Sequence, residues 1–417
     1  VTVATESGYT WSQGKNARLL HAGNKLDIKT ITASDEAVTG NAQLVDNGLT
    51  RDVWRPFANA AESPTDFSAD DWTATNLTIE DNGQSIAETT DSGEHDLSQA
   101  FTFTAVEHVV AFKIDRQTVP EVQIRANDGT TSFTCFFDLR DLTIGTAAAG
   151  TTGQLIEQDD GSILISIRFT PAAATGVVEL LLANGSESVS YAGDTANTIK
   201  VRRACVHASS ATLRLDTFTA AGATCFAVGA HTLGSSGARI AFEHDSDGDD
   251  TWTEIGSVEP GDNGAIMFFF ASITSDRWRV TVDRGVVPEI GVLWVGDPLT
   301  FERPFYAGFS PARMNRATEV IGNLSRTGEL LGRSVKRTVL QEQYSWTNLT
   351  YSWVRSNLDG RNGVIQSVET KPAFLAWRPE LTDDVSYIMR AGTDAPQAMG
   401  VRDLWSFNMS AEVYAYE

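Results

Sequence analysis

Ser162-Ile163-Leu164-Ile165-Ser166-Ile167-Arg168-Phe169 places Ile163, Ile165, Ile167 and Phe169 on one side of an extended chain and Ser162, Ser166 and Arg168 on the other. A period of two is the mark of a strand with one buried face. The rhythm returns in Val177-Val178-Glu179-Leu180-Leu181-Leu182 and in Trp278-Arg279-Val280-Thr281-Val282, and Gly, Asn or Asp closes most such runs. Helical spacing with caps is scarce. Ser310-Pro311-Ala312-Arg313-Met314-Asn315, a capping Ser followed by Pro at the first helical position, predicts one short turn. The chain reads as all-β.

Its 417 residues, 41% hydrophobic and 21% charged, are too many for one compact core and too apolar for a disordered chain, so two or three domains are expected. Fifty-four Asp and Glu against 32 Lys and Arg give a net charge of −22, which argues against nucleic acid or an anionic membrane surface as the main partner. The longest apolar stretches, such as Ala265 to Ile273, reach about half of the roughly 20 residues that a membrane-spanning helix needs. Val1 to Ser12 lacks the positive patch and apolar run of a secretory signal, so export by the ordinary route is not expected. Cys135, Cys205 and Cys225 are odd in number and form no C-x-x-C pair, and are read as buried small hydrophobes.

Charge is unevenly spread. Residues 62–209 hold 22 acids and 8 bases, whereas residues 310–417 hold 12 of each. A self-repelling surface suits exposure to solvent, and a neutral segment rich in Trp, Tyr and Arg suits burial against other subunits. The middle is therefore expected to be displayed and the end docked. Small polar junctions at Asn59-Ala60-Ala61-Glu62-Ser63-Pro64 and Ala208-Ser209-Ser210 bound the middle, and residues 20–61 offer too few strands for a core of their own. This divides the chain into 1–61, an inserted domain at 62–209, the remainder of the interrupted domain at 210–302, and a C-terminal β-rich docking segment at 303–417.

Three resemblances sharpen this division. Thr32-Ala33-Ser34, Asn41-Ala42-Gln43-Leu44-Val45-Asp46-Asn47-Gly48 and Trp54-Arg55-Pro56 resemble the opening of a galactose-binding-like, discoidin-type jelly roll. Its continuation resembles Leu213-Arg214-Leu215-Asp216, Val228-Gly229-Ala230-His231-Thr232-Leu233-Gly234, the hairpin Ser246-Asp247-Gly248 with Trp252, Arg277-Trp278-Arg279-Val280 and Ile290-Gly291-Val292-Leu293-Trp294-Val295-Gly296. The insert resembles the carbohydrate-binding-module sandwich of phage tail proteins through Asp66-Phe67-Ser68 before Trp72, Asn76-Leu77-Thr78-Ile79, Gly93-Glu94-His95-Asp96-Leu97, Phe136-Phe137-Asp138-Leu139, Asp160-Gly161-Ser162 and Tyr191-Ala192-Gly193-Asp194. It departs from that pattern at Ser162-Ile163, where an aromatic is usual, and at Lys200-Val201-Arg202-Arg203, in place of an apolar, Trp-containing strand. The last hundred residues are similar to uncharacterised tail proteins of tailed phages. Together the resemblances imply a structural protein of a phage virion, in the distal tail, baseplate or collar, assembled in the host cytoplasm. Its implied partners are other tail proteins, further copies of itself and a host surface glycan. The competing reading is a bacterial extracellular adhesin or a non-catalytic part of a carbohydrate-active enzyme.

Candidate sites follow from residue types. Trp72, Tyr191 and Trp11 offer aromatic faces on which a pyranose can stack, with Asp194 as a polar neighbour; each is equally an ordinary core aromatic. Asp245, Asp247, Asp249 and Asp250 have the oxygen density that Ca²⁺ requires, although the same run suits a plain hairpin turn. No cofactor is otherwise expected. The six His have no metal-ligand spacing, and neither a Gly-x-Ser-x-Gly elbow nor a phosphate-binding Gly-Lys-Ser/Thr loop is present, so the chain is expected not to be an enzyme. Arg326, Arg333, Arg337, Tyr344, Trp346 and Trp353 are the residue types that anchor interfaces and form the expected assembly surface.

Overall fold

The computed structural model describes residues 2–11, 16–33, 45–46, 53–55, 61, 64–80, 83–158, 161–172, 174–208, 210–283, 288–304, 315–324, 327, 330–359, 363–379, 385–400 and 403–414. It is all-β, built as a jelly roll interrupted by a β-sandwich and backed by a C-terminal sheet.

The insert is two antiparallel six-stranded sheets. One runs Thr143–Ala147, Ser132–Asp138, Glu121–Asn127, Thr175–Ala183, Asp96–Thr102, Thr73–Thr75. The other runs Thr152–Glu157, Ile163–Phe169, His108–Asp115, Thr198–Ala208, Ser85–Glu88, Leu77–Ile79. Ile163, Ile165, Ile167 and Phe169 point between the sheets, as their spacing predicts, and pack with Phe67, Phe112 and Phe137. Leu164, the one apolar residue on the polar side of that strand, explains itself by its neighbours. It joins Val109, Ala111, Cys205 and Ile156 in a small cluster on the sandwich's outer face. That face meets the jelly roll: Gln158 Nε2 donates to the Ser235 carbonyl at 2.9 Å. Gly237, at φ 65°, closes the short helix Leu233–Ser236, and a Cβ there would stand 2.6 Å from Ile156 Cδ1. The left-handed backbone and the close approach both select glycine.

Two long strands, Ser210–His231 and Ile266–Asp283, make the jelly roll. They pair along both halves, with slips between Asp216 and Ala221 and between Ala223 and Cys225. On one side of the slips they are flanked by Ile28–Ala33 and Arg239–His244; on the other by Ile290–Gly296 and, in parallel, Thr2–Thr5. Irregularities of this kind bend strands. The two halves enclose Trp54, Leu213, Phe226, Phe242, Phe268 and Trp278.

The C-terminal sheet runs Leu299–Thr300, Arg18–His21, Ala373–Ala376, Val385–Thr393, Leu404–Val413, Leu330–Thr350, Arg316–Leu324. It thus recruits a strand from the N-terminal region and one ahead of residue 303, because Leu19 and Phe301 fill its core. Helices Tyr351–Asn357 and Val364–Thr370 contribute Val354, Val364 and Val368 to that core. Thr350 caps the first by accepting from the Trp353 amide. The opposite face of the sheet presents Leu20, Phe374, Ala376 and Tyr387 to Ala227, Met267, Phe269, Val292 and Trp294 of the jelly roll. The docking expected of this segment is therefore made within the chain. The short turn expected at residues 310–315 lies, up to residue 314, outside the described residues.

Candidate functional site

Register across the first insert sheet fixes which side chains share its outward face. One row runs Thr134, Arg125, Glu179, Ser98, Thr73, and the next Phe136, Gln123, Leu181, Asp96, Thr75. The opposite sheet is the one that meets the jelly roll, so this face points away from the scaffold. Outward residues of a sandwich are ordinarily well solvated, yet Asp96 and Gln123 are 6% exposed and Glu179 9%. They lie beside a two-stranded antiparallel ribbon of Ser92–Glu94 and Ser190–Ala192.

Glu94 reaches from that ribbon to the guanidinium of Arg125, whose Nη1 and Nη2 donate to its two oxygens at 3.0 and 2.8 Å. Arg125 also donates to Glu179 through Nε and, at 3.1 Å, through Nη2. Two carboxylates thus hold one planar cation at the centre of the face, the strong fork geometry of arginine. The hydrogen bond from Arg125 holds Glu94 below the usual carboxylate range, and the two carboxylates push Arg125 up. Burial pushes Asp96 up, with the nearby Glu179 charge adding to the effect, while hydrogen bonds from Thr75 and Ser98 oppose it.

The ribbon is itself tied down by a residue the sequence did not single out. Glu88, 1% exposed, accepts from the Tyr191 hydroxyl, from the Asp194 amide at 2.8 Å and from Asn197 Nδ2 at 3.1 Å. Tyr191 pairs with Gly93, the neighbour of Glu94, and its ring lies 4.8 Å from that of His95. Burial, reinforced by Glu88, pushes the Tyr191 phenol far up, so it acts as a neutral donor. Tyr191 through its hydroxyl and Asp194 through its backbone amide thus help to fasten the ribbon that carries Glu94, while the Asp194 side chain is exposed. The only sequence sign of Glu88 was its position in a strand of alternating burial.

The other candidates are placed as follows. Trp72 lies in the sandwich core, edge-on to Phe67 at 5.1 Å, so its stacking reading is corrected in favour of packing. Trp11 packs edge-on against Phe269 at 5.0 Å with Arg18 over its ring. The calcium reading is also corrected. Asp245 is 1% exposed and turned inward, accepting from the amides of Asp247, Gly248 and Asp250 at 3.2, 2.8 and 3.1 Å and from Arg277 at 3.0 Å. Arg214 and Arg277 both pair with Asp250. Guanidinium groups already occupy the position a cation would take, and Asp247 and Asp249 do not join Asp245 around a centre. Among the described residues no group of three His, Cys, Asp or Glu could hold a metal ion. Tyr344 and Trp346 belong to the C-terminal core rather than to a surface; Trp346 stacks on Phe301 at 3.9 Å and Tyr344 donates to Glu342. Trp353 is half-buried against the same core. Arg326 lies outside the described residues, and of Arg333 and Arg337 only the backbone, in the strand Leu330–Thr350, is described.

No protein-family model matches the chain, and no curated protein matches it. Among solved structures, a Ruminococcus gnavus GH29 fucosidase in complex with fucose is similar over 22% of this chain at 16% identity and a TM-score of 0.18, and the match spans only 18% of its own length. An allantoicase is similar at 10% identity over 58% of this chain and 94% of its own, with a TM-score of 0.18. The CBM32-1 and CBM32-2 domains of Clostridium perfringens ZmpB, in complex with GalNAc, are similar at 7% identity over 67% of this chain and 92% of their own, with a TM-score of 0.19. Scores this low carry no argument about activity, and the fold class rests on the sheets and registers of the chain itself.

Proposed function

We propose that this chain is a non-catalytic glycan-binding and architectural protein, a component of a phage tail in its distal region, baseplate or collar. The observation that carries the glycan half is the outward face of the first insert sheet, where Arg125 is held between Glu94 and Glu179 beside Gln123, Asp96 and Ser98. Vicinal sugar hydroxyls each donate and accept, and a guanidinium flanked by carboxylates and an amide offers both partners at matching spacing. Phe136, half-buried in the same rows, supplies apolar area for the C–H face of a ring. Weak affinity at one face becomes useful when copies are repeated on a particle.

Glycoside hydrolysis needs one carboxyl protonated and one ionised across the scissile bond. Glu94 and Glu179 share one guanidinium instead, which supports a binding role. The virion half rests on the resemblances of the insert and of the last hundred residues.

The test is glycan-array and whole-cell binding by the full chain, comparing the parent with Gln123→Ala/Ser98→Ala and with Arg125→Lys. Binding that falls at least about tenfold in variants with unchanged near-ultraviolet circular dichroism is expected, a loss of about 1.4 kcal/mol or more. Binding untouched by all three changes, or none by the parent, would overturn the glycan half. Absence of the protein from purified tails by mass spectrometry would overturn the virion half.

A further inference from the structure

The hairpin of Arg316–Leu324 with the outer part of Leu330–Thr350 is set apart from the sheet that carries it. Arg316 pairs with Leu340 and Leu324 with Leu330, whereas pairing of the long strand with Leu404–Val413 begins only at Leu340. Residues 316–324 and 330–339 therefore form a two-stranded arm of about 30 Å, at roughly 3.3 Å per residue. Among the described residues, no other strand pairs with either of its edges and no helix or strand packs substantially along it. A lone two-stranded hairpin is marginal in water, so an arm of this length calls for a surface to complete it.

Charge identifies that surface. Residues 316–324 and 330–340 carry Arg316, Arg333, Lys336 and Arg337 against the single acid Glu319, in a chain of net charge −22. Like charge keeps two arms apart. The complementary element is the strand Thr253–Val258, which among the described residues is paired on one side only, with Arg239–His244, and lies at the edge of the jelly-roll sheet. Residues 245–262 around it hold seven acids and no base; Asp245, Asp250 and Glu254 are paired with arginines of the same sheet, and the others include Asp247, Asp249 and Glu259. Asp249 and Glu259 are exposed there.

We propose that the arm of one copy adds to the Thr253–Val258 edge of a second copy, continuing its sheet by main-chain hydrogen bonds with charge setting the choice of partner. Arm and edge are different surfaces of the same chain. The contact is thus head-to-tail, and it closes into a ring where the rotation between copies divides a full turn and extends as an open filament where it does not. This deepens the assembly part of the proposed function and rests on it; the glycan face is independent of it.

The test is the mass of the full chain by light scattering and sedimentation, at low and high salt. The parent is expected to be an oligomer that dissociates as salt rises. Replacing residues 317–338 by a two-residue turn, or Arg333→Glu/Arg337→Glu, is expected to give monomers. So is Asp249→Arg/Glu259→Arg, which touches only exposed positions and keeps the test valid if an arm variant fails to fold. Mixing the two charge-reversed proteins should restore an oligomer in which they alternate, because each arm then meets an edge of opposite charge, and combining all four changes in one chain should restore it as well. An oligomer of unchanged mass without the arm would overturn this inference and leave assembly standing. A monomeric parent at tens of micromolar would overturn both.

Discussion

The insert and the C-terminal sheet sit on the same jelly roll in opposite ways. The insert closes a core drawn from its own residues, between 61 and 206, and touches the scaffold through a small outer cluster and the Gln158 hydrogen bond. The C-terminal sheet closes one core with its helices and shares a second with the jelly roll, where Phe374 lies edge-on to Trp294 at 5.5 Å and against Tyr387 at 4.7 Å. Net charge follows this difference: −14 where the unit is attached by one face, zero where it is attached by a core. The contrast teaches that a neutral, aromatic-rich segment reports burial without reporting whose surface buries it.

Phe374→Ala should separate the two regions most sharply. Removing a fully buried phenylalanine costs about 3–5 kcal/mol, and calorimetry should show the jelly roll and C-terminal sheet melting earlier together while the insert's transition stays put. A uniform shift of all transitions would break the comparison. Glu88→Ala is the converse. It leaves the Tyr191 hydroxyl, the Asp194 amide and the Asn197 amide without their acceptor, at about 1–3 kcal/mol, and should lower only the insert's transition.

Acid should act on the two regions at different points. Burial lowers His21 and His231 to about 4, from 6.5, and both lie outside the insert. A depressed value means that the neutral form stabilises the fold above pH 6.5 and that this stability is lost as pH falls towards 4, at about 1.4 kcal/mol per unit per histidine. His108 acts in the same direction within the insert. Glu94, held below its ordinary 4.5, contributes stability present above that value and lost only as pH falls below it. Melting followed from pH 7 to 3 should therefore show the jelly roll and C-terminal sheet weakening more than the insert, and His21→Gln should blunt their loss. The smallest effect is expected at Phe218, 63% exposed, where Phe218→Ser should change stability by under about 0.5 kcal/mol.

Strand period made the all-β class and the inward face of Ile163–Phe169 legible, because burial on one side is a local property. Leu164 even carried, as an apolar residue out of phase, the sign of a second covered face. What remained illegible depends on partners distant in sequence. Asp245 reads as a calcium ligand until Arg277, 32 positions away, is seen to hold it. Trp72 and Trp346 look alike to an interface residue and to a core residue, since the aromatic that meets each one comes from another strand or loop. The Arg125 centre was invisible for the same reason: Glu94 and Glu179 stand 31 and 54 positions away. Only register brings them to one face.

The insert's last strand ends at Ala208 and the jelly roll's first long strand begins at Ser210. One position separates the two in sequence. A pull on the insert would therefore pass within one position of sequence into Ser210–His231, whose hydrogen bonds to Ile266–Asp283 would bear it side by side along their length. Such a joint transmits load as a stiff lever does, rather than absorbing it as a tether would.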